Sequence, residues 1–167
     1  MRLIDEKFKK NKLRYAIQCS LASLSVFLVL LILDSISNAA VIASLGASSF
    51  IAFTMPKAQV SKPRYMIGGY VVGTVTGCLC HYLHLIIQSS MLEMPYNIPV
   101  ITLSAISVGM AIFLMTITNT EHPPAAGIAL GLVFDGFSFL SVLIIIVGIV
   151  CLSIIKIILT PNLENLL

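Results

Sequence analysis

Charge is what this sequence most lacks. Of its 167 residues only 10% are Asp, Glu, Lys or Arg, while 58% are hydrophobic. Mean hydropathy is +1.03. A soluble domain carries about 25% charged residues, so too few are present to clothe a water-facing surface. A soluble globular fold is excluded, and an integral membrane protein follows. Cysteine is also sparse. Cys19, Cys78, Cys80 and Cys151 all lie inside apolar spans and match no zinc template. Cys78 and Cys80 point to different sides of a helix. The expectation is packing thiols, with no disulfide framework, no metal and no cofactor. Neither an HExxH signature nor a nucleophile paired with a base is visible, so an enzyme is not expected. No Ser-rich, acidic-poor transit peptide precedes the first span. That span, 15–33, also exceeds the roughly 7–15 apolar residues of a signal peptide. It reads as a retained crossing, with a prokaryotic plasma (inner) membrane as the expected location.

The few charges are placed unevenly. Six of the ten Lys and Arg fall in residues 1–14, and Lys57, Lys62 and Arg64 share one loop. Two basic clusters separated by two apolar stretches mark two cytoplasmic segments, which sets the N-terminus inside. Topology signalling accounts for these charges better than nucleic-acid binding does. In the leader, Leu3, Ile4, Phe8 and Lys12 fall along one face of a short helix that would rest at the interface; a solvated topology anchor is the simpler expectation. Residues 34–38 form a polar turn in which Asn38 is a candidate N-cap. A second segment, 39–55, is rich in small and hydroxylated residues, including Ser44, Gly46 and Ser48. Residues 56–64 end it on the basic side.

The third span, 65–85, repeats glycine every fourth residue at Gly69, Gly73 and Gly77. That doubled GxxxG stripe predicts backbone-to-backbone helix packing, against its own bundle or a neighbouring subunit. His81 and His84 share a face near its end, either as an interfacial pair or as a metal or proton-relay pair. Residues 88–99 hold no Lys or Arg, as suits an outer loop. A fourth span covers 98–117, a short apolar piece 125–134, and a last span 139–159, where Lys156 is placed to snorkel to headgroups.

Between the fourth span and the short piece lies Thr118-Asn119-Thr120-Glu121-His122-Pro123-Pro124-Ala125-Ala126. Hydrocarbon tolerates such a polar break only where protein or a water-filled cavity covers it. Two prolines without N–H groups end one helix and begin another. The new helix would turn its N-terminus, a natural anion site, inward. An echo lies upstream: Ser35-Ile36-Ser37-Asn38 before Ala39-Ala40-Val41-Ile42-Ala43, against Thr116-Ile117-Thr118-Asn119 before Ala125-Ala126-Gly127-Ile128-Ala129. As a repeat, it gives two inverted triplets of full, short and full span, with two short-helix N-termini facing one midplane. A plan of five spans, with 123–134 re-entering, puts the C-terminus outside; six put it inside.

Three motifs in order resemble the HPP family of small integral membrane proteins. They are Ala43-Ser44-Leu45-Gly46-Ala47-Ser48, then Pro63-Arg64 with Ile67-Gly68-Gly69, then Thr118-x-Thr120-x-His122-Pro123-Pro124. The resemblance covers most of 15–160. It departs at Tyr70, where many relatives carry His, and at Glu121, where an apolar residue is usual. Family members from cyanobacteria and chloroplasts are associated with nitrite transport, so the resemblance implies a permease or channel for a small inorganic anion.

The expectation is therefore an all-α polytopic membrane protein of five or six segments. It comprises a basic leader (1–14), one HPP-type transmembrane domain (15–160) and a short tail (161–167). Asn38, Ser44, Gly46, Ser48, Thr118, Asn119, Thr120, His122, Pro123 and Pro124 are the candidate substrate-binding residues. Glu121, Lys62 and Arg64 are candidates for gating or coupling, and Gly69, Gly73 and Gly77 for packing. Expected partners are a small inorganic anion, membrane lipid and further copies of the chain, without nucleic acid. Two alternatives stand: a proton- or cation-coupled carrier using Glu121 and His122, and a non-transporting scaffold packed through the glycine stripe.

Overall fold

The structure, a computed structural model, describes residues 7–8, 11–33, 39–90 and 97–166. Asn38 with the 34–38 turn, most of the basic leader and residues 91–96 of the 88–99 loop lie outside the described residues. The described chain is helical throughout, apart from short turns. Its six main helices are α1 (Lys12–Leu33), α2 (Ala39–Thr54), α3 (Pro63–Ser90), α4 (Asn97–Thr118), α5 (Pro123–Asp135) and α6 (Phe139–Leu159). Four of them are long and apolar enough to cross a membrane, and α2 and α5 are the shorter apolar pair. An all-helical membrane protein is what a bilayer demands, since only helices or closed barrels satisfy the main chain without water.

Helix α3 is the spine, packing on α4, α5 and α6. Its glycines lie along α5 in parallel register. A Cβ on Gly69 would come 2.7 Å from the His122 Cβ, and one on Gly77 2.9 Å from the Ala129 carbonyl oxygen. On Gly73 it would overlap the Ala125 carbonyl oxygen. Glycine is required here because two helix backbones touch, and the contact lies within one chain. The stripe is thus occupied internally, and the scaffold alternative loses the surface it relied on.

Helix α2 runs antiparallel to α5, with Ser44 beside Gly127 and Ser48 bonded to His122. Around these helices sits the main core, which includes Phe53, Met66, Tyr70, Ile128, Leu132, Ile145 and Ile149. A smaller cluster at the far end joins Cys80, Val100, Leu103 and Val133.

Both chain ends meet at one end of the bundle. The Tyr15 hydroxyl donates to the Leu166 carbonyl at 2.7 Å, and the Leu166 amide to the Thr54 carbonyl at 2.8 Å. The Lys57 amide donates to Asn165 Oδ1 at 3.0 Å, and an ion pair joins Arg14 to Glu164.

Lys156 packs its stem against protein. It falls on the inward stripe of α6 with Ile145, Gly148, Ile149, Leu152 and Ser153, and is 4% exposed. The packed face of the helix covers its stem, and its ammonium lies near Lys62 at the common end.

Gly73→Val should destabilise the protein by at least about 1–3 kcal/mol through overpacking. Gly109→Ala, with no heavy atom near its added Cβ, should leave stability unchanged or raise it. Thermal unfolding in detergent, followed by size exclusion, reads both.

Candidate functional site

The break between α4 and α5 is built from local backbone chemistry. Asn119 adopts a left-handed φ of 55°, a conformation Asn accepts more readily than most residues. The Asn119 amide donates to the Thr116 carbonyl at 3.3 Å, and the Thr120 amide to the Met115 carbonyl at 2.9 Å. Those two bonds form a Schellman stop, which satisfies carbonyls that the end of α4 would otherwise orphan. Three residues later His122, extended at φ −140° and ψ 96°, is the N-cap of α5. A residue before proline is driven to such a conformation sterically, and an N-cap needs it. Pro123 and Pro124 then fill the first two helical positions.

The same prolines alter what that helix end can bind. Neither has an N–H, and the next amide, Ala125, donates to the His122 carbonyl at 2.9 Å. The expected free donors are missing, for a covalent reason, although the dipole of the helix remains. Helices α2 and α5 also lie side by side, so their N-termini sit at opposite ends of their overlap. Ser48, ten residues into α2, is what meets the start of α5.

At that meeting point lies a buried polar chain. Tyr70 Oη is 2.9 Å from Ser48 Oγ, Ser48 Oγ is 2.8 Å from His122 Nε2, and His122 Nδ1 is 2.9 Å from the Val60 carbonyl oxygen. Tyr70, Ser48 and His122 are all fully buried. The direction of the chain follows from its last member. A carbonyl only accepts, so Nδ1 carries the proton; a neutral ring then accepts at Nε2 from the Ser48 hydroxyl. Ser48 in turn accepts from Tyr70. The histidine is held by protein at both nitrogens, and this makes it the brace between α2, α5 and the 55–62 loop.

A second set of bonds closes the same end. Tyr65 Oη donates to Asn119 Oδ1 at 3.1 Å and is also bonded by Gln59 Nε2. Thr118 and Thr120 hydroxyls are 2.8 Å apart, and Thr120 packs on Gly68. Thr118, Asn119 and Pro123 are exposed, while Thr120 and Glu121 are half-buried.

The sequence-derived candidates therefore divide. Ser48 and His122 come together, with Ser44 farther along α2 facing Gly127. Thr118, Asn119, Thr120 and Glu121 form the turn at the common end. Gly46 faces the opposite way, into a groove between α1 and α2. Lys62 and Arg64 are exposed, and among the described residues Glu121 forms no ion pair with them. His81 Nδ1 lies 3.1 Å from the Val133 carbonyl oxygen, and the His81 ring is 6.2 Å from that of His84. No cluster able to hold a metal is found among the described residues.

Tyr70, Val60 and Lys156 belong to the polar interior without having been picked as candidates. Tyr70 carried a usable signal. It replaces a hydrogen-bonding residue with another one, and it lies one position after the first glycine of the stripe.

Ser48→Ala should cost about 1–3 kcal/mol, since it leaves His122 Nε2 buried and unpaired. Tyr70→Phe added to Ser48→Ala should cost less than Tyr70→Phe alone, because its partner is already gone. Thermal unfolding of the two single variants and the double variant measures that coupling.

No solved structure matches this chain. A transmembrane protein of Dictyostelium discoideum is 33% identical over 89 residues, 53% of this chain and 28% of that protein. The match thus spans little more than a quarter of the relative's length. Residues 8–165 match the family description "HPP, transmembrane region". With nearly the whole chain inside that match, and with the His-Pro-Pro break at the joint of its helices, this multi-pass membrane protein belongs to the HPP family.

Proposed function

We propose that the protein is a permease or channel for a small solute, most simply a small inorganic anion such as nitrite. It would work in the inner membrane as a six-segment bundle with both ends in the cytoplasm. One observation carries the sign of the solute. Among the described residues Lys156 is the Lys, Arg, Asp or Glu whose residue is buried, it forms no ion pair with a carboxylate, and its ammonium is near enough to Lys62 at the common end for the two charges to repel. Two ammonium groups held near one another repel, and an anion arriving at that end would offset the repulsion. Ser153, one turn earlier on the same stripe, reaches Met66 Sδ at 3.9 Å on α3. The stem of Lys156 therefore continues the α3–α6 seam toward the common end.

This reading moves the anion's electrostatic partner away from the start of α5. There the prolines remove the donors, and His122 is spent on structure. The Ser48–Tyr70–His122 chain then holds α2 and α5 at a fixed spacing, and the hydroxyls of the inner helices replace water along the route. Lys62 and Arg64, exposed at the common end, would raise the local anion concentration. Transport, not catalysis, is the activity proposed.

The coupled-carrier reading rests on Glu121, which is half-buried and unpaired beside His122. The two readings predict different fluxes in proteoliposomes. On the anion reading, nitrite enters down its gradient and Lys156→Gln lowers that flux at least tenfold without lowering the melting temperature. On the carrier reading, uptake needs a proton or cation gradient and disappears in Glu121→Gln. Equal nitrite flux in Lys156→Gln and the parent protein would overturn the role given to Lys156. No nitrite flux in the parent protein would overturn the anion reading itself.

A further inference from the structure

The N-terminal flank of the bundle carries two adjoining cavities that the polar interior does not use. The first is a groove of about 600 Å³ between α1 and α2, with a wall of Ala22, Val26, Phe27, Leu30, Phe50 and Phe53. The second, about 530 Å³, lies at the start of α1 and is lined by Asn11, Lys12, Arg14, Gln18 and Asn162 among others. Gln18 borders both, so the two adjoin at that residue along α1.

Gln18 also fixes the junction. Its amide nitrogen donates to the Phe53 carbonyl at 2.7 Å and to the Glu164 carbonyl at 2.9 Å, and its oxygen accepts from the Glu164 amide at 3.3 Å. The tail 163–166 is thereby held across the inner end of the groove, and Leu166 becomes part of its wall. A polar compartment and an apolar one are thus separated by a single buried, fully bonded side chain.

We propose that this pair of cavities is a binding site for an anionic phospholipid of the leaflet on the N-terminal side. One acyl chain lies in the α1–α2 groove, and the phosphate lies beside Lys12 and Arg14. Length supports the acyl assignment. From Gln18 to Leu30 the groove runs about 18 Å at 1.5 Å per residue, close to the ~15 Å that is half of a ~30 Å hydrocarbon core. Charge supports the headgroup. The polar compartment offers two cations, and the neighbouring carboxylate, Glu164, is already engaged by Arg14. A guanidinium has five donors, so Arg14 keeps others for a phosphate. A helix of a second copy fits less well. At ~10 Å across and ~18 Å long it would fill on the order of 1,400 Å³, more than the 1080 Å³ of empty space in the groove.

The site has a structural consequence. A chain seated there would cover the outward face of α2 near Gly46 and Ser49, on the helix that carries Ser48. Lipid occupancy would then brace α2 from the side opposite α5.

The test is photo-crosslinking of the full chain, in phosphatidylcholine nanodiscs, with a phosphatidylglycerol that carries a diazirine on its acyl chain. Labelled peptides should map to Phe27, Leu30 and Phe50. Unlabelled phosphatidylglycerol should compete better than phosphatidylcholine, and Lys12→Gln should weaken that preference about fivefold, as loss of one interfacial cation implies. Ala22→Phe should remove the label from the groove; its folding is checked by an unchanged melting temperature, and Ser23→Phe is the second variant. Label spread evenly over the outer helices would overturn the proposal. So would equal competition by phosphatidylcholine, or cross-links at Val26→Cys between two copies of the chain.

Discussion

An interrupted helix inside an apolar bundle leaves main-chain groups that only protein can satisfy, and the rest of this structure depends on how residues 115–125 meet that demand. Carbonyls at the end of α4 are closed by the Asn119 turn. At the start of α5 two prolines delete the donors that would need partners, and the third amide bonds to the His122 carbonyl. What remains polar is the imidazole, and three separate segments converge to bond or cover it: Ser48 from α2, Val60 from the basic loop and Tyr70 from α3. The family's eponymous tripeptide is therefore first a solution to a backbone problem.

The glycine stripe serves the same joint. Bringing His122 within reach of Ser48 and Val60 requires α5 to lie directly on α3, closer than any side chain there permits. Gly69 opposite His122 and Gly73 opposite Ala125 supply that clearance. The Gly stripe and the His-Pro-Pro break are two sides of one contact. Tyr70, which departs from the family pattern, supplies the O–H that completes the chain through Ser48.

A free helix N-terminus is a generic anion site, but it works through its amides, and this one presents none at its first three positions. Positive charge near this end comes instead from Lys156, whose stem lies on the inward stripe of α6, and from Lys62 close to it. The outer flank beside α1 has a different chemistry, apolar with a basic rim, suited to lipid and not to a solvated ion.

The sequence by itself determined the membrane setting, the apolar segments and the break at 118–124, because hydropathy and the covalent limits of proline act locally. It also determined that small residues would form a contact face, since a four-residue period is a property of one helix. Tertiary structure alone decided which helix that face meets, because period carries no partner identity. It decided that Ser48, 74 residues before His122 in the chain, would be its hydrogen-bond partner, while Gly46, two residues away on the same helix, would point to the opposite side. It also decided the fate of Lys156. A lysine near a helix end reads as lipid-facing until the packing of the neighbouring helices shows that its stem lies against protein.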